Sequence, residues 1–197
     1  MSTSIEKALI ETQAFKVSSS LTTWASGIKS PIYCDNRVIL SFPKHWKVIL
    51  KSFEEKIRQL DIDGIAAVAT AGIPHGAALA HIMGLPLVYV RSKAKGHGKE
   101  NLIEGNLNEV SKVVLIEDLL STGGSALSAS KELVSKGVEV DKILSIFSYE
   151  LKVLKSNMIE NKCDYYSLTN IHKVLKESNL NTSQQSLVDG FLTEYVI

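Results

Sequence analysis

A chain of 197 residues, 45% hydrophobic and 22% charged, can bury one sizeable core and is short for two ordinary domains, so a single domain over residues 1–197 is expected. Its 22 Lys and Arg nearly balance 21 Asp and Glu, for a net charge of +1. No overall field then recruits nucleic acid or an acidic membrane, neither partner is expected, and any anion site must be local.

The first residues carry Glu6 and Glu11 without a basic start and an apolar run, so a cytoplasmic protein is expected rather than a secreted one. Residues 4–14 predict a short helix. Residues 21–42 mix β-branched and aromatic residues with Gly27 and Pro31, which predicts short strands around a turn. Residues 1–42 together read as a small N-terminal cap over the core. Pro43 opens a helical pattern in which Trp46, Ile49, Leu50, Phe53, Ile57 and Leu60 share one face, a face expected to pack on a sheet.

Short apolar runs at residues 65–68, 87–90, 113–116 and 143–147 have the character of buried parallel strands. Helical patterns at 75–83 and 124–136 supply crossovers, which predicts an α/β fold over residues 43–180: a doubly wound, mainly parallel sheet flanked by helices, with function at the strands' C-terminal ends. The apolar stretch 64–90 is broken by Pro74, His75, His81 and Pro86, whereas a membrane-spanning helix needs about 20 predominantly apolar residues. His75 reads as a capping or packing residue and His81 as structural. Residues 92–105, with Lys93, Lys95, Gly96, His97, Gly98, Lys99 and Gly105, are too polar and glycine-rich for core and read as a mobile functional loop. Residues 183–197 read as a closing amphipathic helix. Cys34 and Cys163 stand alone, without metal-ligand spacing, and read as reduced thiols.

The segment 113–125 carries the chemistry. An apolar strand ends in Glu117 and Asp118, and Leu119, Leu120, Ser121, Thr122, Gly123, Gly124 and Ser125 then turn into a helix. Glycines let the backbone approach an anion, amides at a helix start point toward it, and the hydroxyls add donors. Two adjacent carboxylates would repel a phosphate but suit ribose hydroxyls or the waters of a magnesium ion. Together they describe a site for a sugar phosphate. The bland alternative is two acids opening an exposed turn that caps a helix. No Lys follows the glycines as in a Walker loop, and no G-x-G-x-x-G follows the first strands.

This segment resembles the phosphoribosyl pyrophosphate (PRPP) motif of the type I phosphoribosyltransferases. Residues 24–37 (WASGIKSPIYCDNR) and 91–98 (RSKAKGHG), with TAGIPH at 70–75 between them, are similar to the cap, catalytic loop and pyrophosphate turn of orotate phosphoribosyltransferases, in particular a shorter bacterial subfamily. The resemblance implies transfer of the 5-phosphoribosyl group from PRPP to orotate, giving orotidine 5'-phosphate and pyrophosphate in pyrimidine biosynthesis. It assigns the ribose hydroxyls to Glu117 and Asp118 and the 5-phosphate to residues 121–125, with Leu119 and Leu120 inside the same PRPP-binding run. Ser121 also touches orotate. Arg91, Lys95 and His97 contact PRPP, chiefly its pyrophosphate, and Lys95 and Asp118 are the catalytic pair. Mg2+ is held through PRPP and water, with no metal ligand from the protein. The loop closes over the partner subunit's site, which implies a homodimer.

The chain departs from some members of that family. Ala25 and Ala71 stand where those members carry Lys, Ser92 stands where a second loop Lys follows the Arg, and no Arg occurs near Tyr149 and Glu150. The holder of the orotate carboxylate is therefore unassigned. Of the cap cations Lys29 and Arg37, Lys29 reads as a solvated surface charge. Rival functions are a phosphoribosyltransferase for another base, against which the cap argues, and a PRPP-sensing regulator, for which no basic helix is visible.

Overall fold

The computed structural model describes residues 3–24, 27–92 and 102–197. The apolar runs form a six-stranded sheet of β3 (Gly64–Val68), β4 (Leu87–Val90), β5 (Ile103–Glu104), β6 (Lys112–Leu120), β7 (Glu139–Ser148) and β8 (Tyr165–Asn170), in the order β5-β4-β3-β6-β7-β8. Every pairing is parallel except β4 with β5. Helices α3 (Gly72–Met83), α4 (Gly124–Ser135) and α5 (Lys152–Glu160) make the crossovers, giving the expected doubly wound sheet flanked by helices. All five residues of β3 are buried, as a strand covered on both faces requires.

From β3 the chain moves outward to β4, and from β6 it moves the opposite way to β7 and β8. Right-handed crossovers then put α3 on one face and α4 and α5 on the other. The reversal leaves a crevice beyond the C-terminal ends of β3 and β6, the switch point where such sheets bind ligands.

The N-terminal segment folds as α1 (Ile5–Glu11), an antiparallel hairpin of β1 (Phe15–Thr23) and β2 (Lys29–Cys34), and a 3-10 turn at Asn36–Ser41. The hairpin begins earlier than residue 21, and residues 36–41 are helical rather than extended. α2 (Pro43–Ile57) starts at its proline, as a fixed φ favours. It buries Ile49, Phe53 and Ile57, while Leu60 lies past its end. It packs mainly on α1, α3 and the 3-10 turn, with only a lesser contact to the sheet at β8. Its Trp46 Nε1 donates 2.9 Å to His75 Nδ1. Burial pushes the His75 pKa down to about 4, so the ring is neutral and serves as acceptor. His81, expected to be structural, is exposed.

α7 (Thr182–Tyr195) opens with a capping box of Asn181 and Gln184 and lies on the hairpin. Trp24 bridges the two elements, with ring centroids 4.3 Å from Tyr149 and 5.8 Å from Phe191. Besides the 3-10 turn and β5, the elements α5, β8 and α6 (Ile171–Glu177) fall outside the expected pattern among the described residues. Two buried residues in α5, Leu154 and Met158, and two in the edge strand β8, Leu168 and Thr169, make stripes too narrow to show as periodicity. Of the expected loop at 92–105, residues 93–101 lie outside the described residues, while Ile103 is buried and pairs with Val90 at the sheet edge.

α3 approaches β6 so closely that a Cβ on Gly72 would run into the Ile116 carbonyl oxygen. Gly72→Ala should therefore cost about 1–3 kcal/mol in urea unfolding, as overpacking does. Gly190→Ala, in α7 with nothing within 4 Å of its Cβ position, should gain about 0.5–1 kcal/mol from helix propensity. Equal midpoints for the two variants would contradict the close approach.

Candidate active site

A cavity of about 440 Å³ opens at the switch point. Its walls are residues 69–71 after β3, residues 117–126 running from β6 into α4, and Cys34, Asp35 and Arg37 from the hairpin and 3-10 turn. The Ala69–Thr70 peptide at its rim is cis.

Glu117 and Asp118 lie within β6 rather than beyond its end, because β7 continues the ladder: Glu117 pairs with Ser145 and Leu120 with Ser148. Glu117 ends a run of five consecutive buried residues in a strand covered on both faces, and is 6% exposed. The Asp118 amide donates 3.0 Å to Glu117 Oε1, and Asn36 Nδ2 donates 2.7 Å to the Asp118 carbonyl, tying the cap to the acid pair. Burial and the neighbouring Asp118 push Glu117 well above the usual carboxylate range, and burial raises Asp118 as well. Hydroxyl donors or a cation at the pair would favour its ionised form and offset that shift.

Ser121, Thr122, Gly123, Gly124 and Ser125 form the turn into α4. Gly123 is the N-cap at φ 80°, where a side chain would be strained and would meet Met158 Cε at 2.8 Å and Leu154 Cδ1 at 2.9 Å. Asn157 Nδ2 donates 2.9 Å to the Thr122 carbonyl, so α5 fixes the turn from behind. The first amides of α4 have no intrahelical acceptors and face an anion site with the positive end of the helix dipole. Leu120 is buried to 1% and can offer a ligand only its backbone.

All nine residues 117–125 thus line one cavity. Arg91 does not. It pairs with Glu104 at 3.4 Å on the sheet edge. Lys95, His97 and Ala25 lie outside the described residues. Of the turn expected at residues 70–73, Thr70 and Ala71 line the cavity, whereas Gly72 and Ile73 already belong to α3 and do not. Cys34, Asp35 and Asn36 lie inside the segment 24–37 that carries the resemblance, but their residue types alone do not mark their individual roles. Their roles come from Asp35 capping the 3-10 turn and from the Cys34 amide donating 3.0 Å to the Tyr149 hydroxyl. Both cysteines are free thiols, and burial pushes Cys34 up, leaving it protonated. Lys29 is exposed and stands away from the cavity.

A family model for the phosphoribosyl transferase domain matches residues 39–181. An orotate phosphoribosyltransferase of Listeria monocytogenes is 53% identical over 156 residues, 78% of this chain and 75% of the relative. The solved UMP synthase of Leishmania donovani superposes with a TM-score of 0.83 at 28% identity, covering 96% of this chain, which spans 42% of that longer one. The orotate phosphoribosyltransferase of Aeropyrum pernix superposes at 0.77 and 26% identity, covering 88% of this chain and 97% of its own.

A buried carboxyl whose folded pKa is raised stabilises the protein fully below its unfolded value, 4.5 for Glu117, and loses that contribution as pH rises through the folded value. Glu117→Gln should therefore match the parent at acid pH in thermal unfolding without ligand. It should become the more stable protein toward neutral and alkaline pH, by about 1.4 kcal/mol for each unit of the raised pKa crossed. A difference that stays constant with pH would contradict the buried ionisation.

Proposed function

The chain belongs to the orotate phosphoribosyltransferase family, and we propose that the switch-point cavity is where it transfers the 5-phosphoribosyl group from PRPP to orotate, yielding orotidine 5'-phosphate and pyrophosphate. The observation that carries this assignment of the site is the convergence of residues 117–126 and 69–71 on one cavity, with acids beside a glycine-rich helix start. A sugar phosphate needs that pairing of hydroxyl acceptors with an anion cradle.

In this reading the amides and hydroxyls of residues 121–125 hold the 5-phosphate, and Glu117 and Asp118 accept hydrogen bonds from the ribose hydroxyls. The residues after β3 lie beneath the pyrophosphate. The bond from the ribose C1 to pyrophosphate oxygen breaks, the oxygen takes the bonding pair, and an orotate ring nitrogen bonds to C1 from the other face as its N–H proton passes to solvent or the departing pyrophosphate. The sugar is cation-like in between, so acids held beside the ring stabilise it. Ser121 stands where the cradle meets the base. The donor set fits magnesium held through PRPP and water, since the acids offer hard oxygens. When bound, that ion would neutralise charge on the departing oxygens.

The resemblance supports Arg91, Lys95 and His97 as pyrophosphate contacts, delivered by a loop that a second copy in a homodimer lends to the site and that excludes competing water. No helix among the described residues is long and apolar enough to cross a membrane. The proposal includes a cytoplasmic setting for these charged substrates.

Orotate absorbance should fall only when PRPP and a divalent cation are both present, and Asp118→Asn should raise the KM for PRPP. Loss of one charge-assisted hydrogen bond costs roughly 1.5–3 kcal/mol, a rise of about ten- to hundred-fold. Turnover that survives complete chelation, or an unchanged KM, would count against these roles.

The shared loop has its own test. Mixing Lys95→Ala, whose cradle is whole, with Asp118→Asn, whose loop is whole, should restore activity on subunit exchange if each site borrows its neighbour's loop. Verified exchange without recovery would rule out sharing.

A further inference from the structure

Among the described residues that line the cavity, Arg37 is the one cation, and it shares those walls with Asp35, Glu117 and Asp118. An anionic base entering such a wall is repelled unless a fixed positive charge receives it. We infer that Arg37 receives the exocyclic carboxylate of the pyrimidine base and that Asp35 is its positioning residue. The inference rests on the reading of this cavity as the orotate site.

The geometry of the guanidinium supports this role. Arg37 Nε donates 2.7 Å to Asp35 Oδ1 and Nη2 donates 2.8 Å to Oδ2. Asp35 therefore occupies one edge of the fork. A guanidinium has five N–H donors, and those left over, on Nη1 and the remaining Nη2 position, form the adjacent edge that matches a second carboxylate bidentately. That edge is accessible, since the Arg37 side chain is 63% exposed. Asp35 also caps the 3-10 turn through the Arg37 amide at 3.2 Å, so one carboxylate fixes both ends of the arginine.

The position of the charge relative to the sugar site is set by neighbouring bonds. Asn36, between Asp35 and Arg37, donates to the Asp118 carbonyl at 2.7 Å, and Cys34 is held by the Tyr149 hydroxyl at 3.0 Å. Among the described residues, no other cation lines the cavity. Tyr149 is buried and Glu150 follows it in a left-handed turn at the end of β7. Lys152 donates to carbonyls of α7 at 3.0 and 3.1 Å, and Lys29 lines no part of the cavity.

The test compares ligands with and without the carboxylate. By calorimetry the parent protein should bind orotidine 5'-phosphate more tightly than uridine 5'-phosphate, by about ten- to hundred-fold for one charge-assisted contact. Arg37→Ala should bind both as the parent binds uridine 5'-phosphate, with its KM for PRPP unchanged and its KM for orotate raised. Arg37→Lys, which keeps the charge and loses the fork, should recover part of the preference. The inference is overturned if Arg37→Ala keeps the preference, or if it loses affinity for both nucleotides and PRPP alike, as a purely structural role would produce. Absence of orotate turnover in the parent protein would overturn the functional reading itself, and this inference with it.

Discussion

The site depends on one parallel ladder. Because Ile65 pairs with Val114 and Ala67 with Ile116, β3 and β6 bring the residues that follow them to the same rim, and the chain leaves that rim in opposite directions. A residue added to either strand would shift the acid pair relative to the turn at 69–71 and flip the faces of its side chains. Gly72 and Gly76 allow α3 to lie close enough to maintain this alignment, since a Cβ at either would meet β6 or β3. Packing of small residues, rather than any polar contact, thus sets the width of the crevice.

Upon that frame the protein places charge where folding alone would not. Glu117 is buried among apolar strand residues, and Ser111 and Lys112 at the start of the same strand donate to Asp63. The carboxylate at the strand's beginning is held by three donors, whereas Glu117 further along it accepts from the Asp118 amide under burial that raises its pKa. Buried acids of this kind cost stability in the empty protein and bind hydroxyl donors or cations strongly. In the proposed site, stability is given up where binding would use it.

Much of this was legible in sequence because it is local. Residues 65–68 and 87–90 are apolar runs with no competing reading, and 117–125 are contiguous, so strand, acids and turn could be read as one unit. What escaped is either non-local or weakly patterned. That Glu117 and Asp118 lie inside β6 follows from the length of β7, a partner that the pattern of β6 does not reveal. The link from Asn36 to Asp118 spans 82 positions, and nothing about an asparagine beside an arginine announces it. Ile103 sat in a polar, glycine-rich neighbourhood, yet a single buried side chain suffices to pin a two-residue edge strand. α5 buries too few residues to mark a helix by periodicity, and its main service is to another segment.

That service makes tolerance to substitution unequal across the contact. Leu154 and Met158 press on Gly123 from α5, and either could shrink and leave only a void. Gly123 cannot answer by growing, because space is not its sole restriction: its φ of 80° disfavours any side chain even where room is made. Sequence drift at this contact should therefore run on the helix side alone, with volume wandering at 154 and 158 while position 123 stays glycine.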